Sequence, residues 1–245
     1  YMNHFSTYED AKKINVKCAK EIVLLSLNIK RKKVHYVSTI GIYSQSEDDK
    51  VVDENTPIQN EIHLNSSGYN ASKWVSENIF QDSKKFGIPL NIYRPGLMIH
   101  ATKTKFIDEK QWLSLLIDTC KLTKMYFISD YEWPVMPVDL AASELVSNVV
   151  KNINSEKTHH LFHHKAKTLE EIVMAYFGED INDMEKVTVN EFYSRIRDKD
   201  LPFTPLIYLF ESQAELFKNK GIIKFNSEIS EKHFESNRLI VGSNV

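Results

Sequence analysis

The 245 residues, 42% apolar and 26% charged, suffice for one large folded domain or a domain with an appended lobe, and they argue against disorder or a fibrous architecture. A net charge of -2 leaves no strong basic field, so nucleic acid is not indicated, and no apolar run approaches the roughly 20 residues of a membrane-spanning helix. Two cysteines, Cys18 and Cys120, are too few for a disulfide framework and read as buried thiols of a reducing compartment, the cytoplasm.

The chain opens Tyr1-Met2-Asn3-His4-Phe5 and runs at once into a helical pattern, so it reads as a fragment starting inside a domain. Residues 8 to 28 carry Ala11, Ile14, Ala19, Ile22, Val23 and Leu27 at near-helical spacing, and Thr7 with Asp10 three residues later forms a capping signal. The basic turn Lys30-Arg31-Lys32-Lys33 leads into a β-rich run, Val34 to Val37, ending at Ser38-Thr39. Residues 44 to 65 are polar and read as a loop. A second helix is expected over about 70 to 85, stopping at Gly87 and Pro89, where Leu90-Asn91-Ile92-Tyr93 begins another strand. Further helices are expected at 109 to 122 and 139 to 151, and the segment after about 165 reads as mostly helical, with Pro202 and Pro205 between pieces.

The alternation predicts an α/β fold: a Rossmann-like parallel sheet with flanking helices over 1–165, plus a smaller, mostly helical C-terminal lobe over 166–245. Sites in such sheets lie outside the carboxyl ends of the strands, where Thr39 and Arg94 stand. Tyr69 and Lys73, four apart at the start of a helix, project from one face. An ammonium near a phenol favours the phenolate and brings Tyr69 toward acid/base use, whereas the bland alternative is a half-buried aromatic with a solvated lysine. Thr39 could present a hydroxyl to the same carbonyl oxygen.

Order and spacing of Thr39, Tyr69 and Lys73 resemble the extended short-chain dehydrogenase/reductases. The strings HYVSTIGIY, GYNASKWVSE, GIPLNIYRPG and PVMPVDLAASELV look like the thioester reductase domains that end nonribosomal peptide synthetases, and like the related aminoadipate and carboxylic acid reductases. The resemblance runs from about residue 3 to 244 and includes FTPLIYLFESQ and SNRLIVGSNV. It implies that Thr39 holds the substrate carbonyl, that Tyr69 donates its proton, and that Lys73 holds the nicotinamide ribose and lowers the Tyr69 pKa. Asn15 matches an asparagine that organises a proton relay, with a plain polar helix residue as the alternative. Tyr93-Arg94-Pro95-Gly96 matches the strand end beside the nicotinamide, and Ser38 supports the backbone there.

The activity implied is NADPH-dependent reductive release of a carrier-protein-bound acyl or peptidyl thioester as aldehyde, and in a second round as alcohol. The implied partners are a phosphopantetheinylated carrier protein or upstream synthetase module. A fatty acyl-CoA or acyl-carrier reductase and a noncatalytic, degenerate binding module are the alternatives. All seven glycines are isolated, at 41, 68, 87, 96, 178, 221 and 242, so the chain holds no glycine-rich phosphate loop. The family's loop lies upstream of its first matching segment, as a truncation would leave it, so the fragment alone is expected to bind nicotinamide cofactor poorly and to be inactive. Lys17-Cys18-Ala19 and His100 depart from the family pattern. His159, His160, His163 and His164 form a cluster that strand alternation splits, so no metal is expected. The run Tyr126, Phe127, Tyr131 and Trp133 reads equally as a substrate channel or as packing.

Overall fold

The computed structural model describes residues 2–3, 6–43, 50–58, 67–151, 156–163, 165–211 and 223–225. In chain order the elements are α1 (Tyr8–Leu27), β1 (Val34–Val37), β2 (Lys50–Val52), α2 (Gly68–Ser83), β3 (Leu90–Pro95), β4 (Leu97–Ile99), α3 (Trp112–Thr123) and β5 (Met125–Phe127). They continue as β6 (Glu132–Trp133), β7 (Val135–Pro137), α4 (Val138–Lys151), β8 (Thr158–Leu161), β9 (Lys167–Thr168), α5 (Leu169–Phe177), β10 (Glu185–Val187), α6 (Val189–Ile196), α7 (Ile207–Glu211) and β11 (Ile223–Phe225).

Strands β1, β3 and β8 form a parallel sheet in that order, with Val37 opposite Tyr93 and Pro95 opposite Leu161. Parallel neighbours require crossover connections, and α2 and α4 lie in them, so the α/β, Rossmann-like reading holds. The register brings Thr39, Gly96 and Phe162 to one end of the sheet. β4 pairs with β7, and β5 with β10, both parallel.

Helix α1 begins as its cap predicts: the Thr7 side chain accepts from the Asp10 N–H. Its buried side runs Ala11, Val16, Ala19 and Ser26, whereas Ile14 and Ile22 are 44% and 41% exposed. Apolar spacing located the helix but not the whole of the face it buries, because small residues, not large ones, allow close approach to α2. The expected loop over 44–65 contains a strand, Lys50–Val52, which pairs with β11 far along the chain; residues 44–49 and 59–66 lie outside the described residues. Such a strand has no local signature, since its partner is remote in sequence. The C-terminal half likewise holds short strands, β9 and β10, among its helices.

Behind the sheet Ala19, Val34, Phe80, Ile88, Leu90 and Ile92 pack together. The largest apolar cluster draws from α3, β5, α5, α6 and the Phe203–Phe210 segment, and so from both sides of residue 165. No helix among the described residues is long and apolar enough to cross a membrane.

Candidate active site at the carboxyl end of β1

Beyond Val37 the chain stays extended at Thr39 (φ -156°, ψ 151°), whose side chain caps a short 3-10 turn by accepting from the Gly41 N–H at 3.1 Å. Ser38 is buried and its backbone N–H donates to Tyr93 O at 2.7 Å, which locks the strand end onto β3. Helix α2 starts directly above. Ser67 caps it by accepting from the Asn70 N–H at 3.2 Å. Gly68 is required there: a Cβ would stand 2.4 Å from Ser6 O and from the Thr7 carbonyl carbon.

This packing brings three of the expected groups together. The Thr39 hydroxyl stands near enough to the Tyr69 phenol to favour its ionised form. Lys73, one turn along, donates from Nζ to Val37 O at 2.8 Å, with Nζ 5.1 Å from the Tyr36 ring centre and 6.0 Å from that of Tyr69. Asn15 joins from α1: its Nδ2 donates to Ser72 Oγ at 2.9 Å, and Ser72 Oγ donates to Tyr69 O at 2.8 Å. Four residues from three segments therefore meet at one strand end.

Burial dominates the electrostatics. It pushes the Tyr69 phenol up to about 12, against the smaller opposing effect of the Thr39 hydroxyl. It also lowers the Lys73 ammonium, while the Glu77 carboxylate works the other way. The phenol therefore rests protonated, as a proton donor, rather than close to the phenolate that the lysine spacing alone suggests.

Tyr93 and Arg94 point into the protein. Tyr93 stacks between His35 and His159, with ring centres at 6.0 and 5.1 Å, and its hydroxyl lies 3.0 Å from His35 Nδ1. Arg94 Nη2 and Nε donate to Glu77 Oε1 at 2.6 and 3.1 Å, and Nη1 donates to Tyr43 Oη at 2.6 Å. Pro95 ends β3, and Gly96 follows where a Cβ would stand 2.1 Å from Pro134 O, a crossing that only glycine permits. Glu77, Tyr43 and Ser72 were not singled out from the sequence. The one available signal was spacing, because Glu77 stands four residues after Lys73 and eight after Tyr69 on the same helix face.

Elsewhere, His159 and His160 are buried in β8, His163 follows that strand, and His164 lies outside the described residues. Among the described residues no three His, Cys, Asp or Glu side chains gather as a metal site. Tyr126, Phe127, Tyr131 and Trp133 belong to the large apolar cluster or pack against it.

Residues 1–145 match the model of an NAD-binding family described as Male sterility protein. The chain is 30% identical over 204 residues to a linear gramicidin synthase of Brevibacillus parabrevis, covering 80% of this chain and 4% of that protein. It is 24% identical over 221 residues to a non-canonical nonribosomal peptide synthetase of Aspergillus hancockii, covering 84% of this chain and 21% of the relative. Among solved structures, the terminal R domain of the myxalamid PKS-NRPS pathway superposes with a TM-score of 0.80 at 21% identity, over 96% of this chain and 60% of that one. A thiolation-reductase di-domain from an archaeal non-ribosomal peptide synthetase gives 0.72 at 17% identity, over 96% and 51%. The chain thus spans a small part of these synthetases and about half to three-fifths of the two solved chains, whose likeness shows a shared fold. By its match over residues 1–145, the chain belongs to the Male sterility protein family of NAD-binding domains.

Proposed function

We infer that this chain carries the catalytic groups of an NADPH-dependent thioester reductase, which releases a carrier-protein-bound acyl or peptidyl chain as an aldehyde and, in a second round, as an alcohol. The observation that carries the reading is the convergence of Thr39, Tyr69 and Lys73 at the carboxyl end of β1. Likeness to synthetases, and to a solved chain in which a thiolation unit adjoins a reductase, supports a phosphopantetheine carrier or upstream synthetase module as partner.

The donor set fits the nicotinamide-ribose end of such a cofactor: an ammonium has three N–H donors, of which Val37 O takes one from Lys73. The backbone at Ser38 and Tyr93-Arg94-Pro95-Gly96 borders the same end of the sheet. A nicotinamide held there would supply hydride to the carbonyl carbon of the thioester. Thr39 and Tyr69 hold the carbonyl oxygen and stabilise the charge that develops on it. Tyr69, protonated at neutral pH, gives its proton to that oxygen, forming a thiohemiacetal that collapses to aldehyde and free carrier thiol. Lys73 then stabilises the phenolate, and the Asn15–Ser72 link steadies the helix turn that carries Tyr69. The segment from residue 166 onward, with the cluster it shares with α3 and β5, would face the acyl chain and carrier. Cys18 and Cys120 are free thiols, in keeping with a cytoplasmic protein; Cys120 is buried as expected, whereas Cys18, on the outer side of α1, is exposed.

The test is NADPH oxidation by the full-length protein that contains this chain, given a carrier-linked thioester and, separately, the CoA thioester. Carrier-dependent consumption with aldehyde or alcohol product, reduced about 10²- to 10⁴-fold in Tyr69→Phe, supports the reading. Equal rates with the CoA thioester would point to a fatty acyl reductase. No consumption with either, despite measured NADPH binding, would point to a binding module.

A further inference from the structure

Below Lys73 the same helix face continues into the interior. Glu77 is fully buried, and Arg94, reaching it from β3, is 2% exposed. Both Nε and Nη2 of Arg94 converge on one oxygen, Glu77 Oε1, while Glu77 Oε2 is buried with no hydrogen-bond partner. The remaining arm, Nη1, donates to Tyr43, whose hydroxyl donates in turn to Thr56 O at 2.6 Å. The guanidinium carbon also sits 5.1 Å from the centre of the Tyr43 ring. One clamp therefore ties α2 to β3 and to the chain on either side of β2.

A buried ion pair is poor evidence of stabilisation, since the cost of removing both charges from water offsets most of their attraction. Shape alone would be served as well by apolar residues. Glu77 lies one turn beyond Lys73 on the same helix face, and its carboxylate favours the charged form of that lysine against the desolvation that burial imposes. Around Lys73 stand Tyr69 and Glu77 from α2 and Tyr36 from β1; Arg94 from β3 and Tyr43 beyond β1 stand behind Glu77.

We propose that Arg94, Glu77 and Tyr43 are positioning residues for the reductive step: their clamp fixes the seat of α2 against β3 and so holds Tyr69 and Lys73 at the carboxyl end of β1. Glu77 supplies the negative charge that opposes desolvation of Lys73. Arg94 pairs with that carboxylate in the interior, and its own reach from the end of β3 sets how deep the α2 face sits. The inference rests on the reductase reading, in which Lys73 must be charged to stabilise the Tyr69 phenolate.

The test uses the full-length protein with the paired replacement Glu77→Leu/Arg94→Met, which removes both charges together, and with Glu77→Asp, which keeps the charge but shortens the arm. Three readouts are taken: the thermal melt, the pH profile of kcat, and the ionisation of Tyr69, read as the phenolate absorbance missing from a Tyr69→Phe background. The paired variant is expected to melt near the wild type, to lose about tenfold or more in kcat, and to show its alkaline limb displaced downward by about one pH unit. Glu77→Asp is expected to lose kcat with the limb in place, because only position has changed. Its behaviour decides the matter if the paired variant does not fold. Wild-type kcat and pH profile in a folded variant would reduce the clamp to packing and overturn the proposal. If the wild-type protein reduces no thioester, the reductase reading fails separately, and the clamp is then judged on the Tyr69 ionisation: an unchanged midpoint in the paired variant overturns it as well.

Discussion

The carboxyl end of β1 and the aromatic cluster of the C-terminal half are both buried, but they are built on opposite principles. Around α2 the interior is polar: Glu77, Arg94, Ser72 and Ser76 are all nearly inaccessible, and direct bonds hold them to named partners. The C-terminal cluster is apolar, with Phe127, Phe192, Tyr193, Phe203 and Phe210 meeting edge-on or tilted at 5.1 to 6.3 Å. Directional bonds define a geometry while adding little net stability, whereas removal of apolar area from water adds stability with little directional demand. At the end of β1 directional bonds hold a phenol, a hydroxyl and an ammonium in register, while the apolar cluster keeps the C-terminal half folded.

The comparison breaks most visibly at Phe203. Its side chain is fully buried, its ring lies 5.1 Å from that of Phe210, and its N–H donates to Thr119 Oγ1 at 3.0 Å. Phe203→Ala is expected to cost about 3–5 kcal/mol in urea unfolding. The part of the population that stays folded is expected to keep the wild-type pH profile, so a displaced profile would show that the two regions are not independent.

A smaller effect sharpens the polar side. His159 has both ring nitrogens buried with no hydrogen-bond partner, and burial, aided by Lys157, His35 and Lys33, holds its pKa down at about 4 against an ordinary 6.5. As pH falls below about 6.5 the unfolded chain takes up a proton that the folded one refuses, so stability declines until pH reaches about 4. The full loss across that window is about 3 kcal/mol at most. Urea midpoints measured from pH 7.5 to 4.5 should fall accordingly, and His159→Phe should flatten that part of the slope. An unchanged slope would mean that His159 gains a proton in the folded state too.

The smallest effect concerns the entry to α5. Thr168 accepts from the Glu171 N–H at 3.2 Å, and the Glu171 carboxylate accepts from the Thr168 N–H at 2.8 Å, a reciprocal cap at the edge of the aromatic cluster. Thr168→Ala is expected to cost about 1 kcal/mol in the same urea assay. A cost as large as that of Phe203→Ala would mean that the helix start, and not the apolar area, limits the stability of this half.

Much of this architecture was legible in the residues themselves. The Thr7–Asp10 cap, the β-rich run before Ser38-Thr39, the stop at Gly87 and the helix at 139 to 151 all emerge near their expected places, because caps, turns and strong periodicity are local. The positions of Thr39, Tyr69 and Lys73 followed from motif spacing plus the rule that parallel strands present their carboxyl ends together. Strand β2 and its partner β11 were not legible, since their pairing joins segments far apart in sequence. The buried face of α1 was legible only in part. Alanine and serine at a close helix crossing carry little hydrophobic signal, and Ile14 and Ile22, which carry a strong one, are exposed.

The sequence by itself determined which side chains stand at one end of one sheet, because secondary structure and strand direction depend on neighbours a few residues away. Only the tertiary structure decided what those side chains are chemically. Burial, which no local pattern reports, raises the Tyr69 phenol and lowers the Lys73 ammonium. The same burial turns Arg94 from an apparent ligand contact at a strand end into the partner of Glu77, because a guanidinium inside the protein must find a carboxylate wherever the fold provides one.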